Sequence, residues 1–183
     1  MNCMKCLGMR SANSGQRRAR GFTLLELMVT VAVVAILAAV ATPSLISVVN
    51  SNRLAAQANE LVASLQIARS EAVRLNTTVT LCRSTDGASC AAAGAWTRWI
   101  VISGTEVLRD SSLRPPLQVT SVDAAVNFRS DGRARSPAGT LSSNVFTVCI
   151  PTTYPPQNRR LVDLAMGSRI ATNSSGSGDG TCP

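Results

Sequence analysis

From Phe22 to Val49 the chain is apolar with a single ionisable side chain, Glu26, and the unbroken run Leu27–Asn52 exceeds the roughly 20 residues a helix needs to cross a bilayer. Beyond that run Leu54, Ala58, Leu61, Leu65, Ala68, Ala72 and Leu75 recur at alternating spacings of four and three, which marks one helical face. The helix is therefore expected to continue past the membrane with that stripe turned onto a partner. Arg53, Gln57, Glu60, Arg69, Glu71 and Arg74 fill its solvated side. Three heptads are short for a coiled coil, and the strand-like sequence that follows is a nearer partner. Pro43 removes one backbone donor and is expected to kink or locally melt the apolar half.

The period changes at Thr77. Short β-branched runs at 77–82, 96–102, 106–109, 117–122, 125–129, 145–150 and 161–164 are separated by Gly, Pro, Ser and Asp, the pattern of an antiparallel β domain. The expected fold class is α+β: a long N-terminal helix packed on a β-sandwich-like domain. The expected divisions are a leader at 1–21, an apolar helix at 22–49, its amphipathic continuation at 50–76, a β-rich body at 77–172, and a Gly/Ser-rich tail at 173–183 tied down by Cys182.

Charge sharpens the topology. The 183 residues hold 18 cationic and 10 acidic side chains, a formal charge of +8. Five of the cations (Lys5, Arg10, Arg17, Arg18 and Arg20) precede Gly21, where there is no acid, so 13 − 10 leaves +3 for the rest. A basic flank places the leader in the cytoplasm and sends the C-terminal body across the inner membrane. A cleaved secretory signal, with Ala39-Val40-Ala41 as its small-residue site, is the rival reading, but it has no use for a carboxylate at Glu26.

Absence of histidine removes the Ser-His-Asp and Cys-His arrangements, and no set of acid, base and nucleophile can be assembled, so neither an enzyme nor a cofactor is expected. Six aromatic residues are too few for a platform that stacks successive bases. After Gly21 every cation is arginine, which favours bidentate pairing with carboxylate or phosphate, although a GC-rich genome gives the same bias.

Gly21-Phe22-Thr23-Leu24-Leu25-Glu26, after a short basic leader and before an apolar run, resembles the processing site of type IV prepilins and type II secretion pseudopilins. The resemblance implies that prepilin peptidase cuts between Gly21 and Phe22 and methylates the new amino terminus. It also implies that Glu26 pairs with the Phe22 amino group of a neighbouring subunit, and that Pro43 occupies the family's helix-breaking position. Ala68-Arg69-Ser70-Glu71-Ala72-Val73, the extension into Cys82, Trp96 and Trp99, Val107-Leu108-Arg109, and Phe128 with Asp131-Gly132 resemble the GspH/FimT (FimU) branch of minor pilins and pseudopilins. Such subunits prime or cap a pilus, or serve a secretion pseudopilus. They are held in the inner membrane with a periplasmic domain and become extracellular once assembled.

Four cysteines, Cys82, Cys90, Cys149 and Cys182, follow the expected crossing, where disulfides persist. They allow three connectivities; the short Cys82–Cys90 separation suits a hairpin staple, leaving Cys149 for Cys182. The C-x-x-C pairs of a thiolate metal site are missing there, and Cys3-Met4-Lys5-Cys6, which has that spacing, lies in the leader. Some FimT-like subunits bind double-stranded DNA through a G-R-x-R motif near the C-terminal end. Here Gly167-Ser168-Arg169-Ile170 keeps part of it and Gly132-Arg133-Ala134-Arg135 matches it earlier in the chain. Arg133, Arg135, Arg159, Arg160 and Arg169 are therefore expected to form a phosphate-binding patch.

Overall fold

A computed structural model describes residues 21–176 and 179–183. The leader before Gly21, with its basic residues and the Cys3–Cys6 pair, lies outside the described residues. The chain divides into two units, one ending at Ala39 and the other spanning Val40–Pro183. The first is helical from Leu24, and its described residues are all exposed.

One helix, α1 (Leu24–Leu75), is followed by nine strands: β1 (Val79–Arg83), β2 (Arg98–Ser103), β3 (Glu106–Ser112), β4 (Gln118–Ser121), β5 (Ala125–Phe128), β6 (Ala134–Arg135), β7 (Asn144–Cys149), β8 (Arg159–Ala165) and β9 (Arg169–Ser175). They pair antiparallel in two sheets, ordered β3-β2-β1-β5-β6 and β4-β7-β8-β9. The helix is not melted at Pro43. A proline costs one donor of the ladder, and the bonds on either side carry the helix through. At its C terminus Asn76 adopts φ 50°, with Asn76 N–H donating to Val73 O and Thr77 N–H to Ala72 O. That is the Schellman arrangement, which satisfies the orphan carbonyls and turns the chain into β1.

The body's core is built on the stripe read from the sequence. Leu54, Ala58, Leu61, Leu65, Ala68 and Ala72 are buried in one cluster with Val79, Leu81, Trp99, Val101, Val126 and Phe128 of the first sheet. Val119, Phe146, Val148, Val162 and Leu164 of the second sheet join the same cluster. Trp96 meets Phe146 edge-on at 5.3 Å between ring centroids, a geometry that suits the ring quadrupoles. Ser64, a polar interruption of the stripe, is fully buried because its Oγ accepts from Trp99 Nε1 at 3.0 Å and donates to Glu60 O at 2.9 Å. Losing that acceptor would strand the indole N–H at a cost of about 1–3 kcal/mol.

Two strands depart from expectation. β6 is only two residues long. β9 runs through Asn173, Ser174 and Ser175, which were assigned to the tail; they pair with Leu161, Arg160 and Arg159 of β8. This edge strand is mostly exposed and polar, so its identity comes from the ladder and leaves no hydrophobic alternation to read.

Helix and first sheet are also joined by Glu60, whose Oε1 accepts from Arg109 Nη2 at 2.7 Å and from Ser111 Oγ at 2.7 Å. The hydrogen bond from Arg109, then that from Ser111, hold its carboxyl below the ordinary value of 4.5 against the opposing effect of burial. A depressed carboxyl stabilises the folded state above its unfolded value, and the contribution fades as pH falls through the folded one. At 37% side-chain exposure the effect is modest. Comparing urea midpoints of wild type and Glu60→Gln should show a wild-type advantage that is full above pH 4.5 and vanishes on further acidification. An advantage unchanged by pH would separate Glu60 from the ionic link.

Candidate functional site

Three regions hold most of the residues singled out by the sequence: the start of the helix, the disulfide-bonded loops, and the two ends of β8, one of them beside β6 of the first sheet.

Phe22 is 79% exposed, Thr23 immediately precedes α1, and Glu26 N–H donates to Thr23 Oγ1 at 3.2 Å. Thr23-x-x-Glu26 thus has the sequence and half the bonding of a capping box. A carboxylate in the first turn also faces the positive end of the helix dipole. Glu26 therefore has a local role that the first reading missed, although the T-x-x-E spacing carried the signal. Leu24, Leu25, Val29, Val33, Leu37 and Val40 are each at least half exposed, and the helix is long and apolar enough to cross a membrane by length and composition. So much contiguous apolar surface marks a helix that is covered by lipid or protein when it works.

Cys82 is bonded to Cys90 across eight residues and Cys149 to Cys182 across 33. The first staple fixes the β1–β2 loop, which Arg83 also ties by donating to the carbonyls of Ala91, Ala92 and Gly94. Asp86 folds the same loop by accepting from the N–H groups of Ala88 and Ser89, each at 2.9 Å, which pushes its carboxyl well below the usual carboxylate range. The second staple returns the tail to the start of β8, where Thr181 O accepts from Asn158 Nδ2 and Arg159 Nη2. Among the described residues no cluster of three or more His, Cys, Asp or Glu could hold a metal ion.

The five arginines do not make one patch. Arg159 and Arg160 open β8, whereas Arg169 pairs with Ala165 at its far end, so a seven-residue strand of roughly 20 Å separates the two groups. At the first end Arg160 Nη2 donates to Ser51 Oγ at 3.2 Å, and Asn50 Nδ2 donates to Tyr154 O at 2.9 Å. This end lies beside the part of α1 that emerges from the apolar run. At the other end Arg169 follows Ser168, which is bonded to Arg69 of α1 and to Ala134, the residue between Arg133 and Arg135. Sequence spacing cannot reveal this split, because it depends on strand direction.

At that second end the two glycine-arginine stretches left as alternatives are neighbours: Ala134 N–H donates to Ser168 Oγ at 2.7 Å. Ser168 is 1% exposed, and its carbonyl accepts from Arg69 Nη1 at 3.1 Å. Gly167 and Ser168 adopt φ of 92° and 66° in the β8–β9 turn, which sets Ser168 inward and leaves Arg169 exposed. Arg135 is more constrained, its Nη1 donating to Gly139 O at 3.1 Å. The sequence places Arg69 among the solvated helix charges and gives Ser168 no role, whereas in the fold the two are bonded to each other.

Residues 57–168 match the family described as Type II transport protein GspH, and residues 16–42 match the prokaryotic N-terminal methylation motif. Two crystal structures of the type IV minor pilin FimU of Pseudomonas aeruginosa are similar in fold. The first has 20% identity and a TM-score of 0.50, covering 66% of this chain and 92% of that one. The second has 20% identity and a TM-score of 0.52, covering 67% and 90%. The minor pseudopilin EpsH of the Vibrio cholerae type 2 secretion system aligns at 10% identity and a TM-score of 0.47, over 67% of this chain and 97% of that one. No curated protein sequence matches. With the family match spanning more than half of its length, and with a long helix packed on antiparallel sheets behind a methylation motif, the chain belongs to the GspH family of pilin-like subunits.

Proposed function

We propose that this chain is a minor pilin of the FimU and FimT kind, incorporated into a type IV pilus where it primes or caps assembly. The observation that carries the reading is the helix Leu24–Leu75: one face of its second half is buried in the body, while the first half is apolar, exposed and headed by a methylation motif. Such a surface needs lipid before assembly and other subunits after it. In this reading prepilin peptidase cuts after Gly21, the mature chain begins at Phe22, and the body is periplasmic until the filament extends. Glu26 then has a second role besides the helix cap, pairing with the amino terminus of an adjacent subunit and fixing register as helices stack. Pro43 marks where the helix relaxes on packing. A pseudopilus of the type II secretion system would use the same architecture. The disulfide-closed C-terminal segment favours the pilus.

Two measurements test this. Mass spectrometry of the membrane-extracted protein should show an amino terminus at Phe22, methylated; an amino terminus at Thr42 would restore the secretory signal and end the pilin reading. Glu26→Ala should leave the subunit in the membrane and reduce its recovery in sheared filaments by at least about tenfold, the scale of losing one buried ion pair. Normal incorporation would remove the register role.

DNA binding is a second reading, favoured by the meeting of Gly132-Arg133-Ala134-Arg135 with Gly167-Ser168-Arg169. In this reading Arg133 and Arg169, with Arg69 behind them, contact phosphates of double-stranded DNA, and Arg159 and Arg160 do not take part. Binding should be weak and without sequence preference, with log affinity falling against log salt by about 0.9 per phosphate contact. In gel-shift titrations Arg133→Ala/Arg169→Ala should lower the slope by about two contacts, and Arg159→Ala/Arg160→Ala should leave it unchanged. The opposite ranking would move the site to the other end of the sheet, and no shift at low salt would leave assembly as the whole function.

A further inference from the structure

Where α1 emerges from its apolar run the body carries four arginines from three separate elements: Arg53 on α1, Arg114 in the β3–β4 connection, and Arg159 and Arg160 at the start of β8. Arg160 is held to this level of the helix by its bond to Ser51, and the loop before it by the bond from Asn50 to Tyr154 O. Arg53 and Arg114 face each other across an open groove of about 590 Å³ between α1 and the β3–β4 connection. Neither guanidinium has a hydrogen-bond or ion-pair partner among the described residues. On the wall of the same groove lies Gln57, which brings an amide to it. Two unpaired guanidiniums and an amide on one groove suit a polar ligand.

The sign of that ligand follows from the charges. Glu60 and Asp110 also line the groove, but Arg109 holds the first at 2.7 Å and Arg98 the second at 3.2 Å. The cations left unpaired are Arg53 and Arg114. An anion with several acceptor oxygens, such as a phosphodiester, suits two guanidiniums and an amide donor.

Position in the chain supplies the source. Phe22–Val49 exceeds the roughly 20 residues needed to span the hydrocarbon core, so Asn50 to Arg53 emerge at headgroup depth. Tyr154, bonded at that level through its carbonyl, is 51% exposed, an amphipathic ring suited to the interface. We infer that the Arg53–Arg114 groove, with Arg160 held at the same level of α1, is a collar that binds the headgroup of an anionic phospholipid and seats the body on the outer leaflet before the subunit leaves for the filament. The inference rests on the membrane-anchored reading above. It gives the arginines at this end a task different from the one their sequence pattern implied.

The test uses the full chain in nanodiscs of equal parts phosphatidylcholine and phosphatidylglycerol, with native mass spectrometry reading which lipid stays bound on release. The chain should retain phosphatidylglycerol in preference. Arg53→Gln and Arg114→Gln should each lower that retention by about fivefold, the factor one basic residue contributes at an anionic leaflet. Arg74→Gln, at the far end of the helix, should leave retention unchanged. Equal retention of the two lipids, or an Arg74→Gln loss as large as that for Arg53→Gln, would overturn the collar. Inorganic phosphate that displaces the lipid would also overturn it, by showing a site for the free anion. If Arg114→Gln misfolds, the comparison of the two lipids on the wild-type chain still decides. A chain that fails to enter nanodiscs of phosphatidylcholine alone would end the anchored reading as well, whereas one that enters but shows no lipid preference ends the collar only.

Discussion

Burial of one face of α1 governs the rest of this molecule. The stripe from Leu54 to Ala72 forms one core with residues of both sheets, and each sheet gives the cluster only part of its own surface. Alanines at 58, 68 and 72 are interspersed with leucines at 54, 61 and 65, so strands can approach closely at some levels while leucines fill others. The polar links follow the same helix. Ser64 receives the Trp99 indole, Glu60 receives Arg109 and Ser111, and Arg69 reaches the Ser168 carbonyl in the turn of the second sheet. The helix thereby sets where each loop ends, and with it the positions of the arginines.

That dependence explains what could be read in advance. A seven-member stripe at spacings of three and four is a local pattern, and the helix and its buried face follow from it directly except at Leu75, which ends the helix exposed. β-Branched runs likewise gave seven of the strands within a few residues. β9 was missed because Arg169-Ile-Ala-Thr-Asn-Ser-Ser has an exposed face and a polar composition; β8 holds it by seven backbone pairings rather than by hydrophobic contact. Gln57, read as part of the solvated side, is buried, because the β3–β4 connection covers that level of the helix. Ser64 is polar at an inward position, and only its partner Trp99 explains it.

The candidate sites divide along the same line. The cap at Thr23–Glu26 and the methylation motif around it are local, and their letters are legible. The arginines required three-dimensional placement: Arg133 and Arg169 are 36 positions apart yet flank the Ala134–Ser168 contact, while Arg160 and Arg169, nine apart, stand at opposite ends of β8. Proximity in the chain grouped them wrongly because a strand carries its two ends apart. The result is a body with two cationic ends, one beside the emergence of the helix from its apolar run and one near the helix terminus at Leu75.

The central claim is that the two halves of a single helix are buried by different partners, the second by the sheets and the first by lipid or other subunits. Hydrogen exchange on the full chain in a bilayer, followed through increasing urea, tests this directly. Amides from 54 to 72 should lose protection together with those of β1 and β7, at the transition that unfolds the body, while amides from 27 to 46 remain protected. Loss of both stretches in one transition, or free exchange of the first stretch before any urea is added, would contradict the account.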